Sequence, residues 1–252
     1  MSELLDRSIA VLRTQHAQLD AVVAGLSPEQ LRGGSGASEW SIAQVLSHLG
    51  SGAEITLGTI TAADQDNQSI WDRWNAASPQ EQASWFVLHD ERLVSMLEGL
   101  SPEQRDTMTV QMFLPDPVSL EVAVGMRLSE VAAHAWDVGV GLDANARLDD
   151  ESAALLAEHY SGGLAFLLGF SGKADQLSQQ AIVRIDGYEL VIDEGVRVVQ
   201  GAAEGATATF RGPLEAAVRM LSGRLTPEYT PEDVSVTGNV TLEDLRRVFP
   251  GY

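Results

Sequence analysis

Glu130 and His134 stand four residues apart, a spacing that stacks two side chains one turn apart on one face of a helix, as a chelating pair requires. Asp137 falls on the same face. A second histidine, His48, lies inside the apolar run AQVLSHLG, where an imidazole must be hydrogen-bonded or metal-ligated to justify burial. Two histidines and one carboxylate make a common catalytic zinc set that leaves at least one coordination position open for water or substrate. On spacing alone two plainer readings stand beside it: His48 as a core histidine with a hydrogen-bond partner, and the Glu130–His134 pair as a surface contact.

The elements that must position these residues can be read from apolar periodicity and breakers. Leu4, Leu5, Ile9, Leu12, Leu19, Val22 and Val23 recur at helical spacing over residues 2–24, closed by Leu26-Ser27-Pro28-Glu29. A second helix is expected over residues 40–63, with Ser38 or Ser41 as cap and Ile42, Val45, Leu46, Leu49 and Ile55 on one face. A polar stretch then runs to Ser78-Pro79, a serine cap with proline at the first helical position, which opens a third helix toward Gly99. Pro115 and Pro117 break the chain before a fourth, strongly apolar helix over residues 118–140 that ends near Gly139 and Gly141. Facing helices of such a bundle project ligands inward.

Near residue 145 the pattern changes. After a linker at residues 143–150 and a helix over 151–168, short alternating runs predict strands at 181–185, 189–193, 196–199 and 206–210, separated by Gly187, Gly195 and Gly205. A helix at 213–221, a strand at 234–236 and a last helix at 242–248 follow. The expected fold class is therefore α+β, with an N-terminal four-helix bundle over residues 1–145 and a smaller mixed domain over 151–252.

Composition narrows the function classes. Apolar residues at 44% and charged residues at 21% describe an ordinary globular chain. A net charge of −20, from 36 acidic and 16 basic residues, repels nucleic-acid backbones and anionic membranes, so neither is expected as a partner. With no cysteine, any thiol chemistry needs an exogenous thiol. The N-terminus lacks a basic region followed by an apolar run, no stretch reaches membrane-spanning length, and a cytoplasmic location is expected.

The runs Trp40-Ser41-Ile42-Ala43-Gln44-Val45-Leu46-Ser47-His48-Leu49 and Ser129-Glu130-Val131-Ala132-Ala133-His134-Ala135-Trp136-Asp137 resemble those of the mycothiol-dependent maleylpyruvate isomerase-like proteins, within the wider DinB-like metalloprotein group. The resemblance extends over nearly the whole chain. Phe210-Arg211-Gly212-Pro213, Leu221-Ser222-Gly223-Arg224 and Val236-Thr237-Gly238-Asn239 are similar to the family's second, sterol-carrier-like domain. Where family members often carry aspartate after the last of those glycines, this chain has Asn239.

The resemblance implies that His48, Glu130 and His134 bind a divalent metal, with Zn2+ the leading ion, and that mycothiol is the thiol co-substrate. It also implies a catalytic or anion-binding role for Arg224, whose other reading is a cation at a helix C-terminus, and makes Arg219 a weaker cofactor-binding candidate. Asp137 is expected to orient a ligating histidine or a bound thiol. Trp71, Arg73 and Trp74 stand between the second and third helices, either at a pocket mouth, where Arg73 would meet the cofactor, or as an aromatic cluster capping the bundle. His16, His89 and His159 show no partner pattern and are expected to be structural or exposed.

The implied chemistry is thiol transfer to, or thiol-assisted cis–trans isomerisation of, a small electrophile, by a monomer or homodimer. Two further classes remain: a hydrolase using metal-bound hydroxide, and a non-catalytic protein that binds a small ligand.

Overall fold

A computed structural model describes residues 2–201 and 205–251, so residues 1, 202–204 and 252 of the two expected domains lie outside the described part. The chain divides into two compact units, Met1–Ala146 and Arg147–Tyr252.

Four long helices build the first unit: α1 (Glu3–Ala24), α3 (Ile42–Ile60), α5 (Pro79–Glu98) and α7 (Leu120–Val140), with the short α2 (Pro28–Arg32), α4 (Asn67–Ala76) and α6 (Pro102–Thr107) between them. α1 packs on α5 and α7, and α3 packs on the same two helices, which closes a four-membered ring. Leu12, Leu46, Phe86, Leu93, Leu128 and Val131 fill its centre.

Local chemistry fixes where the helices begin. Serine followed by Pro-x-Gln or Pro-x-Glu occurs three times, at Ser27, Ser78 and Ser101, and each time a full capping box forms. Ser41 caps α3 reciprocally with Gln44, so this helix starts after Ser41 rather than at Trp40. The expected start of the fourth helix moves as well, because Val118–Ser119 pairs as a strand with Thr109–Val110 before Ser119 caps α7. The stretch before Ser78, expected as polar chain, contains α4, anchored in the core by Ile70 and Trp74 one turn apart.

Gly50 sets how closely α3 approaches α5. A Cβ there would lie 2.2 Å from the Trp74 ring and 2.9 Å from the Phe86 backbone. Gly50→Ala is expected to destabilise the protein by about 1–3 kcal/mol, because overpacking outweighs the gain of about 1 kcal/mol in helix propensity. Thermal or denaturant unfolding checks the sign.

The second unit carries α8 (Asp150–Tyr160), α9 (Ala165–Ser171), a five-stranded sheet, α10 (Leu214–Leu221) and α11 (Leu242–Val248). The expected single helix over 151–168 is interrupted at residues 161–164. The sheet order is β5-β4-β3-β6-β7, formed by Val196–Gln200, Tyr188–Ile192, Ala181–Ile185, Ala208–Arg211 and Ser235–Gly238. Only the β3–β6 pair is parallel. The β3–β4 hairpin turns at Asp186-Gly187, where Gly187 takes φ +72°, a conformation open to glycine without strain. The α+β class read from the sequence is the one observed. No single helix among the described residues is long and apolar enough to cross a membrane.

Candidate metal centre

α3 presents His48 and its neighbour α7 presents Glu130 and His134. His48 Nε2 lies 2.9 Å from Glu130 Oε2, and His134 Nε2 lies 3.6 Å from the same oxygen. One ligand atom from each residue falls within 4.8 Å of the other two. Ligands about 2.1 Å from a tetrahedral ion sit about 3.4 Å apart, so the three atoms are close to a coordinating arrangement. These two nitrogens and one oxygen are the atoms a cation would take.

Solvent reaches the group from one side. The His48 and Glu130 side chains are 42% and 54% exposed, and that of His134 is 11% exposed. This corrects the expectation of a buried His48: Val45, Leu46 and Leu49 point to the core, whereas His48 continues a solvent-facing strip with Gln44 and Gly52 at helical spacing. Desolvation pushes the Glu130 carboxyl upward, but hydrogen bonds to His134 and His48 outweigh it and hold the group well below the usual carboxylate range.

Asp137 is wholly buried and sits 2.8 Å from His134 Nδ1 through Oδ2. This contact holds the ring so that Nε2 is the nitrogen facing Glu130. The Gly33–Ser41 connection is pinned over this end of α7 by Gly36 N donating to Asp137 O at 2.8 Å. A Cβ on Gly36 would meet Asp137 Oδ1 at 2.8 Å. Asp137→Ala is expected to weaken metal binding about 10–100-fold while leaving the three ligands in place. A chelator-competition titration of the variant checks it.

Trp40, carried by the same connection, lies over both imidazoles, its ring 5.1 Å from that of His48 and 6.0 Å, nearly parallel, from that of His134. The sequence marked Trp40 only as part of a motif. Its place as a wall of the centre depends on the loop closing between Gly34 and Ser41, which no periodicity announces.

Arg73 is bound elsewhere. Its Nη2 donates to Glu54 Oε1 at 2.6 Å, and Trp74 Nε1 donates to Glu54 Oε2 at 2.8 Å. His89, which shows no partner pattern in the sequence and is expected to be structural or exposed, has Nδ1 3.5 Å from Glu54, and burial lowers its pKa. His16 is likewise paired: Nδ1 is 2.9 Å from Asp90, whose other oxygen accepts from Arg127 Nη2 at 2.7 Å.

In the second unit Arg219 is buried and tied by Nε to Glu215 at 2.8 Å and by Nη1 to the Tyr229 carbonyl at 2.9 Å. Those contacts brace the turn after α10 and leave this guanidinium little to offer a cofactor. Arg224 is half-buried, follows Gly223 at φ +73°, and donates from Nη1 to Ser222 O at 3.2 Å. Asn239 donates from Nδ2 to Gln180 O at 2.9 Å, a bond that aspartate could not make.

The family model described as the mycothiol maleylpyruvate isomerase N-terminal domain matches residues 12–139. Among solved structures, the crystal structure of the mycothiol-dependent maleylpyruvate isomerase is similar, with 14% sequence identity, a TM-score of 0.62, and coverage of 95% of this chain and 98% of that one. A histidine-to-alanine mutant of that isomerase matches at 15% identity and a TM-score of 0.60, with the same coverage. At such identity the likeness is one of fold. No curated protein sequence shows a significant match.

Proposed function

The chain belongs to the mycothiol maleylpyruvate isomerase N-terminal domain family, and from that premise we propose that it is an enzyme in which His48, Glu130 and His134 hold one divalent ion, most suitably Zn2+, and mycothiol reacts with a small electrophile. The observation that carries this reading is the convergence of two imidazole nitrogens and one carboxylate oxygen within 4.8 Å, with the buried Asp137 2.8 Å from His134 Nδ1. The donor set suits zinc and leaves a position for an outside ligand.

When bound, such an ion lowers the pKa of a thiol in its open position, so that thiolate is present near neutral pH. The chain's own residues supply the setting. The exposed edges of His48 and Glu130 admit the thiol, and Trp40 gives it an apolar wall. Without cysteine, the chain offers no competing thiol. The thiolate adds to a C=C conjugated with a carbonyl: a C–S bond forms as the C=C π bond breaks, and its electron pair moves onto the carbonyl oxygen as an enolate. If the C–S bond breaks again after rotation about the resulting single bond, the C=C re-forms, the thiolate is released and the reaction is a cis–trans isomerisation; if the enolate carbon instead takes a proton from water, the thioether persists and the thiol has been transferred to the electrophile. S-transfer is the favoured form, because membership of a family transmits the metal and thiol chemistry more dependably than the acceptor. Asp137 acts by orienting His134.

The test is the ultraviolet thiolate absorbance of mycothiol, titrated against pH with and without one equivalent of zinc-loaded protein. The expected result is thiolate formation at lower pH in the presence of the protein, by one unit or more on an order-of-magnitude basis. Unshifted titration, together with ester cleavage that needs no thiol, would favour a hydrolase instead.

A further inference from the structure

In the second unit, the turn after α10 and the segment after α11 enclose a cavity of about 100 Å³. The two walls meet where Gly223 faces Gly251: a Cβ on Gly223, itself at φ +73°, would lie 2.2 Å from the Gly251 Cα. Met220, Leu225 and Phe249 are buried and form the floor, whereas Thr226 and Pro250 on the rim are exposed, so the cavity opens to solvent.

Arg246 is the one ionisable residue in the lining, and its side chain is 20% exposed. Three hydrogen bonds fix the guanidinium: Nε donates to Leu225 O at 2.8 Å, Nη2 to Thr230 Oγ1 at 2.6 Å and Nη1 to Glu243 Oε2 at 3.2 Å. A guanidinium carries five N–H groups, so one on each terminal nitrogen has no acceptor among the described residues. The only counter-charge is Glu243, whose side chain is 63% exposed, and an ion pair so open to water is weak.

An apolar floor beside a fixed, permanently charged guanidinium suits a small amphiphile: hydrocarbon at one end, and at the other a carboxylate that accepts charge-assisted hydrogen bonds. Size narrows the class further. A closed apolar cavity of about 150 Å³ takes a benzene ring, so about 100 Å³ takes a tail of about four carbons. We infer that this cavity is a binding site for a short branched-chain carboxylic acid, with its tail on Met220, Leu225 and Phe249 and its carboxylate on Arg246. The inference is independent of the metal centre.

The experiment is an amide nuclear magnetic resonance titration of the full chain with isovalerate, beside isovaleramide, which keeps the tail without the charge, and acetate, which keeps the charge without the tail. The expected result is saturable shifts of the Gly223 and Leu225 amides and of the Arg246 Nε–H with isovalerate, and binding about tenfold or more weaker for both controls. Thr226→Phe leaves every hydrogen bond of Arg246 in place and narrows the mouth of the cavity; it is expected to weaken isovalerate about tenfold or more. Glu243→Gln removes the competing carboxylate and is expected to tighten isovalerate by up to about fivefold, which a purely structural Arg246 would not do. Absence of saturable shifts at these residues, equal affinity for isovaleramide, or unchanged affinity in both variants overturns the inference. Shifts confined to the surroundings of His48, Glu130 and His134 place the acid at the metal centre and overturn it as well.

Discussion

His134→Ala is expected to lower zinc affinity by about 10²–10³-fold, the loss that follows when one of a few protein ligands, each contributing roughly 3–4 kcal/mol, is removed. The effect should exceed that of Asp137→Ala, because His134 offers the ligand atom and Asp137 only orients it at 2.8 Å. The fold should survive. His134 is partly exposed and its neighbours Val131, Val138 and Trp136 supply the packing of that turn. Competition with a chromophoric chelator measures the affinity, and far-ultraviolet circular dichroism checks that the helices remain. Equal zinc affinity in variant and parent would contradict the assignment of His134.

Asp90→Ala is expected to have the largest effect on stability, about 3–5 kcal/mol, or roughly 10 °C in melting temperature for a chain of this size. Asp90 is 2% exposed and lies between Arg127 and His16, so its removal leaves a guanidinium buried without its counter-charge. The pH dependence carries a sign that can be checked. Hydrogen bonding to Asp90 raises the His16 pKa; this contribution is complete below the unfolded value of about 6.5 and is lost as pH rises through the folded one. Burial pushes the Asp90 carboxyl up, but His16 and Arg127 together bring it below its ordinary value; this contribution is present above about pH 4 and is lost as pH falls. The stability difference between parent and variant should therefore be greatest from about pH 4 to 6.5 and shrink on either side. Melting curves across that range measure it, and a difference independent of pH would contradict the coupling.

Much of the bundle is legible in the sequence because its helices announce themselves by serine caps and apolar faces. Ser78-Pro79 opens α5 as read, and residues 242–248 form the last helix with the bounds expected. The helices of the first unit that escaped reading, α2, α4 and α6, are the short ones. α4 contributes Ile70 and Trp74 amid polar residues, and α6 contributes no buried residue at all, although Ser101-Pro102-Glu103-Gln104 repeats the capping signal of Ser27. The Glu130–His134 pair is visible as helical spacing, whereas the addition of His48, offered by its residue type and strengthened by the resemblance to a family, depends on α3 packing against α7. Neighbouring apolar letters misled on His48 itself, since adjacent residues on a helix point about 100° apart. The His16–Asp90–Arg127 network joins α1, α5 and α7 across residues distant in sequence, and it has no local pattern to read.

The central claim is that His48, Glu130 and His134 hold one metal ion, and elemental analysis of the purified, untagged protein beside its His48→Ala variant tests it most directly. The account predicts about one zinc per chain in the parent and little or none in the variant. A parent protein that is isolated without metal and takes up none when zinc is added would contradict it.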